Sequence, residues 1–130
     1  MSNKSENTQF QNATASTLKA VSGDIDSERE IKFSGSSSYL STKEIRLPQI
    51  LKELDSTQLS RLRGESDKIA LKIKHHDPIV HSKYLPSSDL SSQIFQFAED
   101  SRIESVGSKN LIGIKNNLQN LVEEKFKDAI

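Results

Sequence analysis

A chain of 130 residues, 33% hydrophobic and 28% charged, can bury one modest core and is too short for two independent ones. Its 18 lysines and arginines balance 18 aspartates and glutamates, which excludes an overall field that would gather nucleic acid or an anionic membrane. The absence of cysteine excludes disulfides and thiolate chemistry and fits a cytoplasmic location, and neither a signal peptide nor the ~20-residue apolar run of a membrane span is read along the chain.

From about Thr8 to Val21, Phe10, Ala13, Thr17, Leu18, Ala20 and Val21 recur at mostly helical intervals, and Gly23 follows as a stop. This predicts a short helix. Glu30 to Ser34 and Glu44 to Leu47 alternate polar and apolar residues, with Ile31 and Phe33, then Ile45 and Leu47, on one face of each. They are expected to pair as a small hairpin near residues 30–47. Between them GSSSYLST reads as a mobile connection. A two-stranded ribbon is marginal alone, so it would lean on the helices.

The second half is more strongly patterned. Behind Asp55 as N-cap, Leu59, Leu62, Ser66, Ile69, Ile73 and His76 fall at steps of three and four, predicting a helix from Ser56 to His75. Asp77-Pro78 ends it and starts a shorter one through Tyr84, with Asp77 as cap. After Pro86, Asp89 starts a third helix whose stripe is read as Leu90, Ile94, Phe97, Ala98, Ser101 and Ser105, with Phe95 and Arg102 on its shoulder and Gly107 as its stop. Leu111, Ile114, Leu118, Leu121, Val122, Phe126 and Ala129 mark the last helix.

The fold expected is mainly α: a small bundle of four or five helices, packed antiparallel because the linkers are short, with the hairpin beside it. Residues 1–54 would hold the first helix, hairpin and serine-rich connection, and residues 55–130 the bundle, together forming one domain. The expected core is Leu59, Leu62, Ile69, Ile73, Ile94, Phe97, Leu111, Ile114, Leu118, Leu121 and Val122. Gly113, inside the last helix, costs roughly 1 kcal/mol relative to alanine, which predicts a close approach there, from packing within the chain or from a partner.

Chemistry-bearing patterns are sparse. His75, His76 and His81, with Asp77 between, lack the four-residue spacing and glutamate of a zinc-protease helix, and Pro78 sends the ligands to two helices. His76 is read as a buried or capping histidine and no metal ligand is assigned. Gly107-Ser108-Lys109 lacks the glycine and lysine positions of a phosphate-cradling loop, and no Gly-x-Ser-x-Gly elbow presents a nucleophile. No residue is assigned to catalysis or to a cofactor. Arg61, Arg63, Lys68, Lys72 and Lys74 on the second helix are interleaved with Glu65 and Asp67, which reads as a solvated face rather than an RNA surface. Glu99 and Arg102 are three apart and expected to pair; Arg102 also invites a role between subunits.

Residues 63–118 carry a longer pattern: Arg63-Gly64, Asp67, Ala70-Leu71-Lys72 and His76-Asp77 with His81, then Phe95, Glu99, Arg102, Glu104 and Gly107, then Gly113-Ile114 and Asn117-Leu118. In order and spacing this resembles the N-terminal region of CobT, a subunit of aerobic cobaltochelatase, including its Glu-x-x-Arg-x-Glu-x-x-Gly and Gly-Val-x-x-Asn-Leu stretches, with Ile114 in place of valine. Phe33 and Arg46-Leu47-Pro48 fit the same alignment. The resemblance implies a non-catalytic part in ATP-dependent insertion of cobalt into hydrogenobyrinic acid a,c-diamide. It implies a CobS-type AAA+ subunit and a CobN-type large subunit as partners, with ATP, magnesium and cobalt used by the complex. The family's acidic middle and von Willebrand factor A-type domain have no counterpart here, so a truncated, even vestigial, member is expected. The alternatives are a free-standing helical interaction module and a small protein binding metal through its histidines.

Overall fold

The computed structural model describes residues 2–24, 28–50 and 55–129, with side chains over 6–24, 28–50 and 55–127. Helix α1 spans Ser2–Ser22, β1 Glu30–Phe33, β2 Tyr39–Leu40, β3 Glu44–Leu47, α2 Ser56–His75, α3 Pro78–Tyr84, α4 Asp89–Ser108 and α5 Ile112–Ala129. The architecture is mainly α, as expected. The boundary expected at residue 54 falls in 51–54, outside the described residues, as does the side chain of Ala129.

Local chemistry explains where the helices begin and end. α1 starts well before Thr8, since nothing in its polar lead-in breaks a helix, and it ends where Gly23 turns to φ 73° and donates its N–H to the Lys19 carbonyl at 3.1 Å. Leu18 and Thr14 face inward with Phe10 and Val21 partly buried, whereas Ala13, Thr17 and Ala20 of the expected stripe are exposed. Asp55 caps α2 by accepting from the Thr57 N–H at 3.0 Å. Asp77 caps α3 by accepting from Ile79 and Val80 at 3.0 and 3.2 Å, with Pro78 at the first helical position. Ser88 caps α4 through the Ser91 N–H, so Asp89 is its first residue.

The two longer strands form where alternation placed them, but they do not make a hairpin with each other. β1 and β3 run parallel, with Ile31 opposite Ile45 and Phe33 opposite Leu47, and β3 lies in the middle of a three-stranded sheet ordered β1-β3-β2. The antiparallel partner is β2, in the segment read as a mobile connection; Leu40 opposes Ile45. Ser41 closes that turn, its hydroxyl accepting from the Lys43 and Glu44 N–H groups at 3.2 and 3.0 Å. Gly35, at φ 67°, offers its carbonyl to the Gln49 N–H at 2.9 Å, and Ser38 donates to Glu65 at 2.7 Å. Hydrogen bonds, with Leu40 packed against the core, order this serine-rich stretch.

Helix α2 is the hub, in contact with α1, α4, α5 and β3. On one side Leu18, Ile45, Leu47, Ile50, Leu62, Ile69 and Ala70 form one cluster, against which Leu59 and Ile73 are partly buried; on the other, Leu71 joins Ile103, Ile114 and Leu118. Leu121 is buried as well. Four expected core residues are instead exposed: Ile94 at 61%, Phe97 at 74%, Leu111 at 42% and Val122 at 62%. For α4 the reason is that its inward stripe is Gln96, Glu99, Asp100, Ile103 and Gly107, mostly polar or small, while the apolar Leu90, Ile94 and Phe97 lie on the opposite arc of the helix. The more apolar side of α4 faces out.

Two glycine expectations also change. Gly107 lies inside α4 and is buried, so it is a packing residue and not a stop. Gly113 has no atom within 4 Å of an added Cβ, so no packing among the described residues requires glycine. Because Gly113 is the second residue of α5, Gly113→Ala should raise stability by less than about 1 kcal/mol, the interior value, seen as a slightly higher thermal midpoint of the isolated chain.

Candidate functional site

At the corner between α2 and α3, Asp77 and Pro78 turn the chain sharply, so that His76, the C-cap of α2, and His81, inside α3, come to lie side by side. Their rings are 4.8 Å apart between centroids and inclined at 62°, and His81 also rests 4.9 Å from the Phe95 ring of α4. Helix α4 runs past this corner and adds Glu99, whose carboxylate lies 3.3 Å from His76 Nδ1. Arg102, one turn on, holds Glu99 through Nε at 3.2 Å and Nη2 at 2.5 Å, and donates from Nη2 to the His75 carbonyl at 2.9 Å.

The expected Glu99–Arg102 pair thus forms, and it also ties α4 to the end of α2. Arg102 holds the Glu99 carboxyl down at about 2, with the His76 contact adding to this and partial desolvation opposing it. Glu99 in turn raises Arg102 above its usual value. The histidine pattern looked for in the sequence is rearranged. His75 contributes only its backbone carbonyl here, Asp77 is occupied by capping, and Glu99 enters from 23 residues away.

Most of the remaining motif positions sit where helices cross. Gly64 of α2 lies under α5, where an added Cβ would stand 2.8 Å from Leu121 Cβ and 3.0 Å from the Asn117 carbonyl oxygen. One turn along, Asn117 donates to buried Asp67 at 2.7 Å. Gly107 brings α4 down onto Leu71 of α2. Arg63 lies 5.1 Å over the Phe10 ring of α1, and Glu104 reaches Lys68 at 3.9 Å. Gly113 alone touches nothing that needs it.

Burial pushes the Asp67 carboxyl above its usual range, against the opposing influence of the Asn117 hydrogen bond and the Arg63 charge. A raised value means that the ionised form is penalised above the folded-state pKa, and that this penalty is relieved as pH falls through it. Asp67→Asn keeps an oxygen for Asn117 and removes the charge. It should leave the chain at least as stable as the wild type at pH 7, with the difference shrinking as the pH is lowered in denaturation series. Asp67→Ala, which strands Asn117, should cost about 1–3 kcal/mol.

A surface groove of about 500 Å³ between the sheet and the α2–α4 side is lined by both charge signs, including Lys68, Lys72, Glu65 and Lys125. Glu65 is held by Lys125 at 3.2 Å and by Ser38. Lys68 and Glu104 pair on the same walls at 3.9 Å. No helix among the described residues is long and apolar enough to cross a membrane.

With this geometry in view, the comparison with known families is decisive: the family described as cobalamin biosynthesis protein CobT matches residues 4–129. The chain belongs to the CobT family. The match extends well beyond residues 63–118, so α1 and the sheet are part of the CobT unit as much as the helices that carry the motif. CobT membership ties the chain to cobalamin biosynthesis. No solved structure matches it. Read as CobT residues, Gly64, Asp67, Gly107 and Asn117 build the bundle, whereas His76, His81, Glu99 and Arg102 form a polar corner that the bundle does not need for its apolar packing.

Proposed function

We propose that this chain is a non-catalytic domain of the ATP-dependent cobaltochelatase that inserts cobalt into hydrogenobyrinic acid a,c-diamide, and that it docks onto the CobS-type AAA+ subunit. In this reading ATP and magnesium are used by that companion, the tetrapyrrole is held by the CobN-type large subunit, and cobalt is the substrate ion. The observation that carries it is the outer side of α3 and α4. α3 buries none of its residues, leaving Ile79, Val80 and Tyr84 exposed, and α4 exposes Leu90, Ile94 and Phe97 along one stripe. Apolar side chains repeated at helical spacing on the solvent side mark an interaction surface, because water penalises them and nothing among the described residues covers them. Family membership supports a partner within cobalamin biosynthesis, and the AAA+ subunit is the one this reading selects.

The test is co-purification of the chain with the AAA+ and large subunits. The wild type should co-elute with the AAA+ subunit, and Ile94→Asp with Phe97→Asp should abolish co-elution while leaving the helical circular dichroism unchanged, since both positions are exposed. Failure of the wild type to bind either subunit would leave a free-standing helical module and overturn the reading.

A further inference from the structure

The polar corner has one feature that a plain ion pair leaves unexplained. His76 and Glu99 satisfy each other, and Arg102 completes Glu99, yet His81 Nδ1 is buried and has no hydrogen-bond partner among the described residues. A buried polar nitrogen left unmatched costs about 1–3 kcal/mol, so its persistence calls for a partner. The His81 ring lies between the His76 imidazole, 4.8 Å away by centroids, and the Phe95 ring at 4.9 Å. One ligand atom from each of His76, His81 and Glu99 can be chosen so that all lie within 4.8 Å of one another, and none of the three is fully exposed.

We propose that His76, His81 and Glu99 bind a first-row divalent transition-metal ion, zinc or cobalt, at the corner where α2, α3 and α4 meet. Two imidazoles and one carboxylate match the borderline-soft donors these ions take, with a fourth position left for water or another ligand. The spacing also fits. Bonds of roughly 2.0–2.1 Å in a tetrahedron put ligand atoms about 3.3 Å apart, and His76 Nδ1 and Glu99 Oε1 already stand at 3.3 Å. A ligand atom of His81 lies within 4.8 Å of the other two, and α3, which buries none of its residues, can bring it closer.

The surroundings hold the ligands in place. Asp77 fixes the turn that sets His76 against His81, and Phe95 supports the His81 ring. Arg102 grips Glu99 Oε2 through Nε and the His75 carbonyl through Nη2, contacts that survive when the ion takes Oε1 and replaces the Nη2 bond to that oxygen. Outer contacts of this kind orient metal ligands and tune their affinity. A hard magnesium ion, which prefers an octahedron of oxygens, does not suit this donor set.

The 130-residue chain, stripped of metal, would be titrated with Co²⁺ while the visible absorption is followed, and with Zn²⁺ by calorimetry. The expected result is one ion per chain, the intense visible bands of tetrahedral Co²⁺, their loss on adding Zn²⁺, and no response to excess Mg²⁺. His81→Ala and Glu99→Gln should each weaken Zn²⁺ binding at least about 100-fold, because losing even an outer partner costs about 10- to 100-fold. His75→Ala should leave affinity unchanged. Absence of saturable one-to-one binding, or affinity retained in His81→Ala, or an equal loss in His75→Ala, would overturn the proposal. Circular dichroism verifies that each variant is folded. The inference is independent of docking, since it is measured without companion subunits and with α4's outer stripe intact.

Discussion

Gly107→Val should destabilise the chain by about 3 kcal/mol, measured as a lowered denaturant midpoint at unchanged slope. A Cβ at position 107 would run into Leu71 Cδ2, with Cδ1 and Cγ at 2.7 and 2.8 Å. Leu71 is 1% exposed and sits in the cluster that joins α2 to α4 and α5, so moving it aside disturbs close-packed neighbours. Even alanine, which gains about 1 kcal/mol in helix propensity over glycine, should be destabilising here. The interpretation is checked by coupling. Leu71→Ala alone should cost about 2–5 kcal/mol by opening a cavity, but combined with Gly107→Ala it should cost less than the sum, because the new methyl enters the space vacated. Additive effects would mean that the two helices do not meet at this contact.

Leu47→Ala should be the second severe change, also costing about 2–5 kcal/mol. Leu47 is 0% exposed on the central strand, shares a cluster with Leu18, Leu62 and Ile69, and is paired in register with Phe33. This makes the small sheet half of the core around α2 rather than an appendage. The matched control is Ile94→Ala, of the same apolar character and 61% exposed, which should change the midpoint by less than about 0.5 kcal/mol. Urea denaturation of both variants separates a structural sheet from a decorative one.

The parts of the fold legible in the sequence are those set by nearby residues. Asp55 and Asp77-Pro78 fix the ends of α2 and the start of α3 through side chain to backbone bonds spanning two or three residues, and both were readable. The face of α4 was not. Its inner side is built from Gln96, Glu99, Asp100 and Gly107 around a single Ile103, so hydrophobic periodicity points the wrong way. Gly107 reads as a stop because a glycine near a helix end usually is one, and only the proximity of Leu71 reveals otherwise. The parallel β1–β3 pairing joins segments distant in sequence, while β2, with its turn closed locally by Ser41, holds the hairpin position; alternation encodes neither choice.

The same distinction applies to the polar corner. Sequence spacing exposes His75, His76 and His81 and finds no metal pattern, because the third ligand is carried by α4, 23 residues beyond His76. A family-wide pattern holding His76, His81 and Glu99 together is the signal that could have joined them, and those positions were already among the motif residues. Gly64, Asp67 and Asn117 were likewise marked by motif, while their part in the α2–α5 crossing required the packed helices.

What the functional account needs most is contact between the outer stripe of α4 and the AAA+ companion. A photoreactive residue introduced at Phe97, 74% exposed on that stripe, would be compared with one at Asn120, exposed on α5. Cross-links to the AAA+ subunit at position 97, with none at position 120, are the predicted result. Equal cross-linking at both positions, or a stable complex that never cross-links at 97, would contradict the account.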